Sequence, residues 1–215
     1  MSLKKLTDSI HKEAEQTKWS QLLVSGNINE HQYGQYLYNL LHIYSTLETR
    51  ANDLGIFKNQ DLKWIRRVLP LYLDLGWFKY ATGYEESTLK YVEYINNLDR
   101  NGVLAHMYVR HFGDMYGGSI IAKKLMNIND TTRAKNHLER IKEEQKRDPT
   151  ILLPVHDGDE HVQHYVFKNN DGKDMKKILK EQMRALLDIT MADEAIMAFK
   201  FAIGLFHDLE KRFDL

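Results

Sequence analysis

The sequence contains no cysteine and only three prolines, Pro70, Pro149 and Pro154, and its 30 basic side chains are matched by 30 acidic ones. The lack of thiols excludes disulfides, thiolate metal sites and iron–sulfur ligation, so a metal must be held by His, Asp, Glu, Met or Tyr. Formal neutrality argues against a protein built to coat nucleic acid, whose phosphates demand a basic excess. No stretch reaches the roughly 18 apolar residues that span a bilayer, and the opening Met1-Ser2-Leu3-Lys4-Lys5-Leu6 lacks the apolar run of a signal peptide. The cytoplasm is therefore the expected compartment, with neither nucleic acid nor membrane as partner. Linkers rich in Pro, Gly or Ser, repeats and low-complexity tracts are missing too, as is the β-branched alternation of strands. What remains is 215 residues, 43% of them hydrophobic, enough for one sizeable core. The expectation is a single all-α domain over residues 1–215.

Apolar residues at helical spacing predict roughly eight helices. Leu6, Ile10 and Ala14 mark an amphipathic first segment over 3–16. After Gly26, the stretch 30–54 places Tyr33, Leu37, Leu40, Leu41, Tyr44 and Leu47 on one face, the pattern of a core helix. A helix over 61–69 is expected to stop near Pro70, followed by an apolar stretch to Phe78 and an amphipathic piece over 85–98. Residues 102–125 again read as helix despite Gly113, Gly117 and Gly118, each costing about 1 kcal/mol relative to alanine in a helix interior. A charged helix is expected from Asp130 or Thr131 to 147, an irregular segment over 148–172, and two closing helices over 174–187 and 192–212.

Two clusters carry chemistry. In His11-Lys12-Glu13-Ala14-Glu15, the histidine and Glu15 are one helical turn apart beside the small Ala14, where a flat ligand can approach. Neutral imidazole ligates heme iron, with a carboxylate fixing its tautomer; the same spacing serves zinc, or is simply a solvated pair. The second cluster is Tyr108-Val109-Arg110-His111-Phe112-Gly113-Asp114-Met115-Tyr116-Gly117-Gly118. Gly113 and Gly117 strip one helical face of side chains, so that backbone can approach a partner closely, or else the helix bends there or packs tightly on a neighbour. Asp114 among these glycines orders water and moves protons, or caps a helix end.

Together these stretches resemble the heme oxygenase family. His11 to Glu15 is similar to its proximal motif, Tyr38-Asn39-Leu40-Leu41-His42-Ile43-Tyr44-Ser45-Thr46-Leu47-Glu48 to its second-helix pattern, and residues 108–118 to its glycine-rich distal helix. Coverage runs from about 3 to 209, poorest over 148–172. The resemblance implies a multi-helix bundle with heme between the proximal N-terminal helix and a kinked distal helix. Heme is then both substrate and oxygen-activating group, opened with O2 and external electrons to biliverdin of the alpha isomer, ferrous iron and carbon monoxide. By the same resemblance His11 is the axial iron ligand, supported by Glu15 with Ala14 alongside. Gly113 and Gly117 lie close to the ring. Asp114, joined by Tyr108, organises the catalytic water. Lys4, Lys176 and Lys180 meet the propionates, and Phe199 and Phe206 border the pocket or belong to plain core.

Two positions depart from the family pattern: Tyr116 replaces a small Ser beside Gly117, and Lys180 stands where members carry Arg, giving a point charge in place of a planar fork. Lys123, Lys124, Lys142, Lys146 and Arg147 offer local positive charge to an acidic ferredoxin-type donor, and the chain ends at Leu209-Glu210-Lys211-Arg212-Phe213-Asp214-Leu215 with no apolar tail. That favours a soluble donor in a bacterial, plastid-like or viral setting, with a bilin reductase as a downstream partner. His156, His161 and His164 have no family counterpart; three histidines so close can bind a metal, but read as surface residues in a charged loop. Rival readings are a heme carrier or sensor without ring opening, against which Gly113 and Asp114 argue, and another helical-bundle enzyme of thiaminase-like or di-iron type. The latter needs paired Glu-x-x-His motifs, and the sequence has none.

Overall fold

The computed structural model describes residues 2–58, 61–78, 80–125 and 162–215. Threonine hydroxyls, which compete with the backbone for hydrogen bonds, divide the N-terminal stretch. Helices α1 (Leu3–Leu6) and α2 (Asp8–Gln16) meet at Thr7, whose hydroxyl donates to the carbonyls of Leu3 at 3.1 Å and Lys4 at 3.4 Å. A helix that the spacing did not suggest, α3 (Lys18–Ser25), begins where the Thr17 hydroxyl accepts from the Ser20 amide at 3.2 Å. It ends at Gly26, whose φ of 75° is left-handed.

Helix α4 (Glu30–Asp53) starts from a reciprocal cap: Asn29 accepts from the Gln32 amide at 2.9 Å, and the Gln32 side chain accepts from the Asn29 amide at 3.0 Å. As the periodicity requires, Tyr33, Leu37, Leu40, Tyr44 and Leu47 are fully buried. The helix expected over 61–69 is instead a 3-10 turn, Leu62–Ile65, and Pro70 lies inside the first turn of α5 (Val68–Leu75). Proline fits there because first-turn amides have no helical acceptor to lose. Next come α6 (Glu86–Asn96), α7 (Arg100–Tyr116) and α8 (Gly118–Leu125), with the backbone broken at Gly117 where one helix was expected over 102–125. The chain closes with α9 (Lys176–Leu186) and α10 (Ala192–Arg212). The charged helix expected up to 147 lies outside the described residues.

One continuous apolar core joins these helices. Helix α4 packs on α5, α6 and α7, while α10 crosses α2, α3, α6 and α7, and α9 lies along α7. Among the described residues there is no strand, only an isolated bridge between Lys168 and Asp174.

The segment 162–167 is strapped onto this bundle by buried polar groups. Asp74, fully buried, accepts from the amides of Gln163 at 2.7 Å and His164 at 2.8 Å, and pairs with the His164 ring at 2.5 Å. Arg67 donates to the carbonyls of His164 at 3.3 Å and Val166 at 2.6 Å, and its guanidinium lies 3.8 Å over the Phe167 ring. His164 is thus a buried structural residue, correcting the surface position expected for it. A chain segment with such composition reads as loop because its anchors, Arg67 and Asp74, are some 90 residues away in sequence. His156 and His161 lie outside the described residues.

Replacing Asp74 by alanine leaves two amides and an imidazole buried without their acceptor, at a cost on the order of 2–4 kcal/mol. Thermal unfolding followed by circular dichroism should show a melting temperature lowered by roughly 5–15 °C. A shift within about 2 °C would show that the strap is held by something else.

Candidate functional site

On α2, His11 Nδ1 faces Glu15 Oε1 at 3.7 Å, and both side chains are more than half exposed. The Nε2 edge of this ring has no partner among the described residues. Phe199 on α10 stands edge-on to the imidazole, 5.5 Å between centroids at 83°, and so orients it. Ala14 is buried at the foot of the pair. Phe206, two turns beyond Phe199, is 9% exposed and tilts against Tyr36 at 6.1 Å, inside the core.

Around the α7–α8 junction, Gly118 does something different from Gly113 and Gly117. Gly113 and Gly117 are exposed, and a Cβ on Gly113 would meet nothing within 4 Å. This is an open backbone flank. A Cβ on Gly118 would run into the Tyr165 ring of the strap, so that glycine is required by packing.

Behind the open flank lies a buried polar network. Asp114 is 8% exposed and accepts a short hydrogen bond from the Tyr44 hydroxyl of α4. Burial, and then the charge of Asp114, push Tyr44 well above the ordinary phenol range, so it remains a donor. Arg110, one turn before Asp114, has its guanidinium 5.8 Å from the Tyr44 ring. Burial works against its charge, but Tyr44, Tyr36 and Asp114 outweigh this and raise its pKa further. Its Nε is buried with no hydrogen-bond partner among the described residues. Tyr36, beside it, is pushed up to about 12 by burial. The network continues through His111, edge-on to Tyr44 at 4.8 Å and 3.3 Å from Glu48, which accepts from the Arg67 amide at 2.5 Å. Tyr44 and Arg110 escaped the sequence analysis as site residues. Tyr44 counted among the apolar positions of α4, and only the structure shows that its hydroxyl reaches Asp114.

Tyr108 goes elsewhere. Burial raises its phenol above the ordinary range, while Thr7 at the end of α1 and the Arg184 cation of α9 act the other way, which places it toward the seam of α7 with α1 and α9 and away from the Asp114 network to which the sequence joined it. Of the expected cations, Lys4 is exposed on α1 and Lys176 half-buried at the start of α9, while the Lys180 ammonium sits 5.1 Å over the Tyr116 ring. Arg184, one turn past Lys180, is a further cation on the same face that the sequence reading missed. Lys123 and Lys124 are exposed on α8, whereas Lys142, Lys146 and Arg147 lie outside the described residues.

The contrast between the glycines is measurable. Gly113→Ala should raise the melting temperature by roughly 1–4 °C, because helix propensity improves by about 0.5–1 kcal/mol and the methyl meets open space. Gly118→Ala should lower it, by about 1–3 kcal/mol of overpacking against Tyr165. Equal shifts in differential scanning calorimetry would contradict this division.

The family model described as heme oxygenase matches residues 1–208. Among curated proteins, the heme oxygenase of Rhodella violacea is 24% identical over 99% of this chain and 87% of its own length. Heme oxygenase 1 of Gallus gallus is 28% identical over 60% of the chain, which spans about half (49%) of that relative. Among solved structures, heme oxygenase-1 of the cyanobacterium Synechocystis in complex with heme superimposes with a TM-score of 0.69 at 21% identity, covering 99% of this chain and 92% of that one. The heme oxygenase of Leptospira interrogans gives 0.68 at 21% identity, covering 96% and 98%. These two likenesses establish the fold, an all-α heme oxygenase-like bundle. The match of one family model to nearly the entire sequence establishes more: this chain belongs to the heme oxygenase family.

Proposed function

We propose that this chain takes heme as its substrate and, with O2 and electrons from a soluble ferredoxin-type donor, opens the ring at the alpha meso carbon, releasing biliverdin, ferrous iron and carbon monoxide in the cytoplasm. The observation that carries the reading is the buried Tyr44–Asp114–Arg110 network set directly behind the side-chain-free backbone of Gly113. A heme carrier has no use for a carboxylate so placed.

The residues present fit the substrate. His11 presents an unengaged, accessible Nε2 while Nδ1 faces Glu15, the arrangement in which a carboxylate fixes the tautomer of a ligating imidazole. Phe199 keeps the ring from turning. Lys4, Lys176 and Lys180 are cations for carboxylates at the substrate's edge. Heme supplies the metal that activates oxygen and the carbon that is oxidised. The protein positions and protonates. Gly113 and Gly117 admit the ring and its bound gas close to the α7 backbone. Tyr44 engages Asp114 Oδ2, which leaves Oδ1 to accept from water and to pass a proton toward the substrate. Arg110, held charged, keeps the carboxylate oriented and supplies an unpartnered N–H to the same water.

No helix among the described residues is long and apolar enough to cross a membrane, in keeping with a diffusible donor. Exposed Lys123 and Lys124 give α8 a positive end for an acidic partner. A bilin reductase is the class of enzyme expected to consume the product.

Hemin titration followed at the Soret band, then turnover with ferredoxin, its reductase and O2, tests the reading. His11→Ala should lose axial ligation and weaken hemin binding at least about tenfold. Asp114→Ala should retain hemin yet form biliverdin roughly 100-fold more slowly; unchanged turnover would remove its role, and intact heme in the parent protein would overturn the enzyme reading. Reversing Lys123 and Lys124 to Glu should raise the KM for ferredoxin about tenfold at low salt, with the difference shrinking as salt screens it. A KM that does not move places the donor on another face.

A further inference from the structure

Tyr116 and Lys180, the two positions that the resemblance sets apart, touch one another: the ammonium lies 5.1 Å over the phenol ring. Tyr116 is the last residue of α7, 44% exposed, and flanks the open glycine face on the side toward α9. Its ring is steadied from within the helix, because Tyr108, Phe112 and Tyr116 form a row of edge contacts at 5.5 and 6.0 Å. The facing row on α9 is Lys176, Lys180 and Arg184, each one turn apart. Lys180 meets Tyr116 at one end while Arg184 acts on Tyr108 at the other, so the helices run antiparallel along this seam.

This pairing compensates for a chemical deficit. A guanidinium holds a carboxylate with a planar fork, whereas an ammonium is a point charge on a flexible stem and fixes no direction. A ring face beneath the ammonium restores a preferred position by cation–π attraction. Resting on the reading of heme as substrate, we infer that Tyr116 is the specificity-determining residue of this site: by holding Lys180 it fixes where the substrate's carboxylates dock, hence how the ring is rotated in its seat and which meso carbon faces Gly113. The four meso carbons of heme are chemically alike, so selection among them is a difference in seating free energy, and a wall and a cation at one edge are enough to set it.

The test compares ferric heme complexes of the parent, Tyr116→Phe, Tyr116→Ser, Lys180→Gln and the Ser/Gln double variant. Proton NMR counts the seatings without turnover, and chromatography of the pigment counts the isomers. Tyr116→Phe keeps a ring face and should keep the parent's seating. Tyr116→Ser and Lys180→Gln should each raise the minor-to-major ratio about two- to fivefold, the double variant no further than either alone, and the isomer mixture should follow. An unchanged ratio in Tyr116→Ser, or additive effects in the double variant, would overturn the inference. If seatings shift as expected while no variant or parent cleaves heme, the proposed function fails and the seating role stands. If all five cleave heme to the same isomer, the reverse holds.

Discussion

The hydrogen bond from Tyr44 to Asp114 is the contact on which the rest of the site depends. It joins the longest helix of the core, α4, to the helix that carries the glycines, and it does so inside the protein, where an unpaired carboxylate would be costly. Tyr44 can serve because burial keeps its proton on, and Arg110 balances the charge from one turn away. The same set of contacts extends through His111 and Glu48 to Arg67, and from Arg67 to the strap at 164–166. The carboxylate is thus held by Tyr44, and Tyr44 belongs to a buried set of contacts that runs on through α7, Arg67 and the strap. For the proton-delivering role proposed for Asp114, such a contact supplies preorganisation, since one carboxylate oxygen is engaged before any substrate arrives.

The pair on α2 that the proposed function places across the substrate is built differently. His11 and Glu15 stand largely in solvent and hold each other at a distance too long for a strong bond, with one aromatic contact from α10 to set the ring plane. Heme would be gripped between a rigid, buried network and an accessible ligand, with cations along α1 and α9 at its edge. The glycines reconcile these demands. Gly113 keeps the surface of α7 free, and Gly118 lets Tyr165 of the strap press against the helix break. A helix that would be more stable without them is held in shape by its surroundings.

Much of this was legible in the sequence, and the parts that were not share a cause. Periodicity located α4, α6, α7 and α10, and short local motifs singled out His11, Gly113 and Asp114 as candidates, because those signals lie within a few residues of one another. Pro70 misled: the rule that proline ends helices competes with its acceptance in a first turn, and only tertiary packing decides between them. Helix α3 is too short for its stripe to stand out, and its start depends on one threonine cap. His164 read as a surface residue because nothing near it in sequence announces Asp74. Tyr108, the first residue of the motif, lies toward the α1–α9 seam, whereas Tyr44, 70 residues from Asp114, is the hydrogen-bond partner of Asp114. Neighbourhood in sequence is a poor guide to which hydroxyl completes a buried network.

The central claim is that Asp114 works because Tyr44 holds it. Single-turnover measurement of biliverdin formation in the heme complex of Tyr44→Phe tests this directly, since the ring and its packing remain while the donor is lost. Hemin affinity should stay within about twofold of the parent while the rate falls at least about tenfold, matching one lost buried hydrogen bond to a charged group. A Tyr44→Phe complex that opens heme at the parent rate would contradict it.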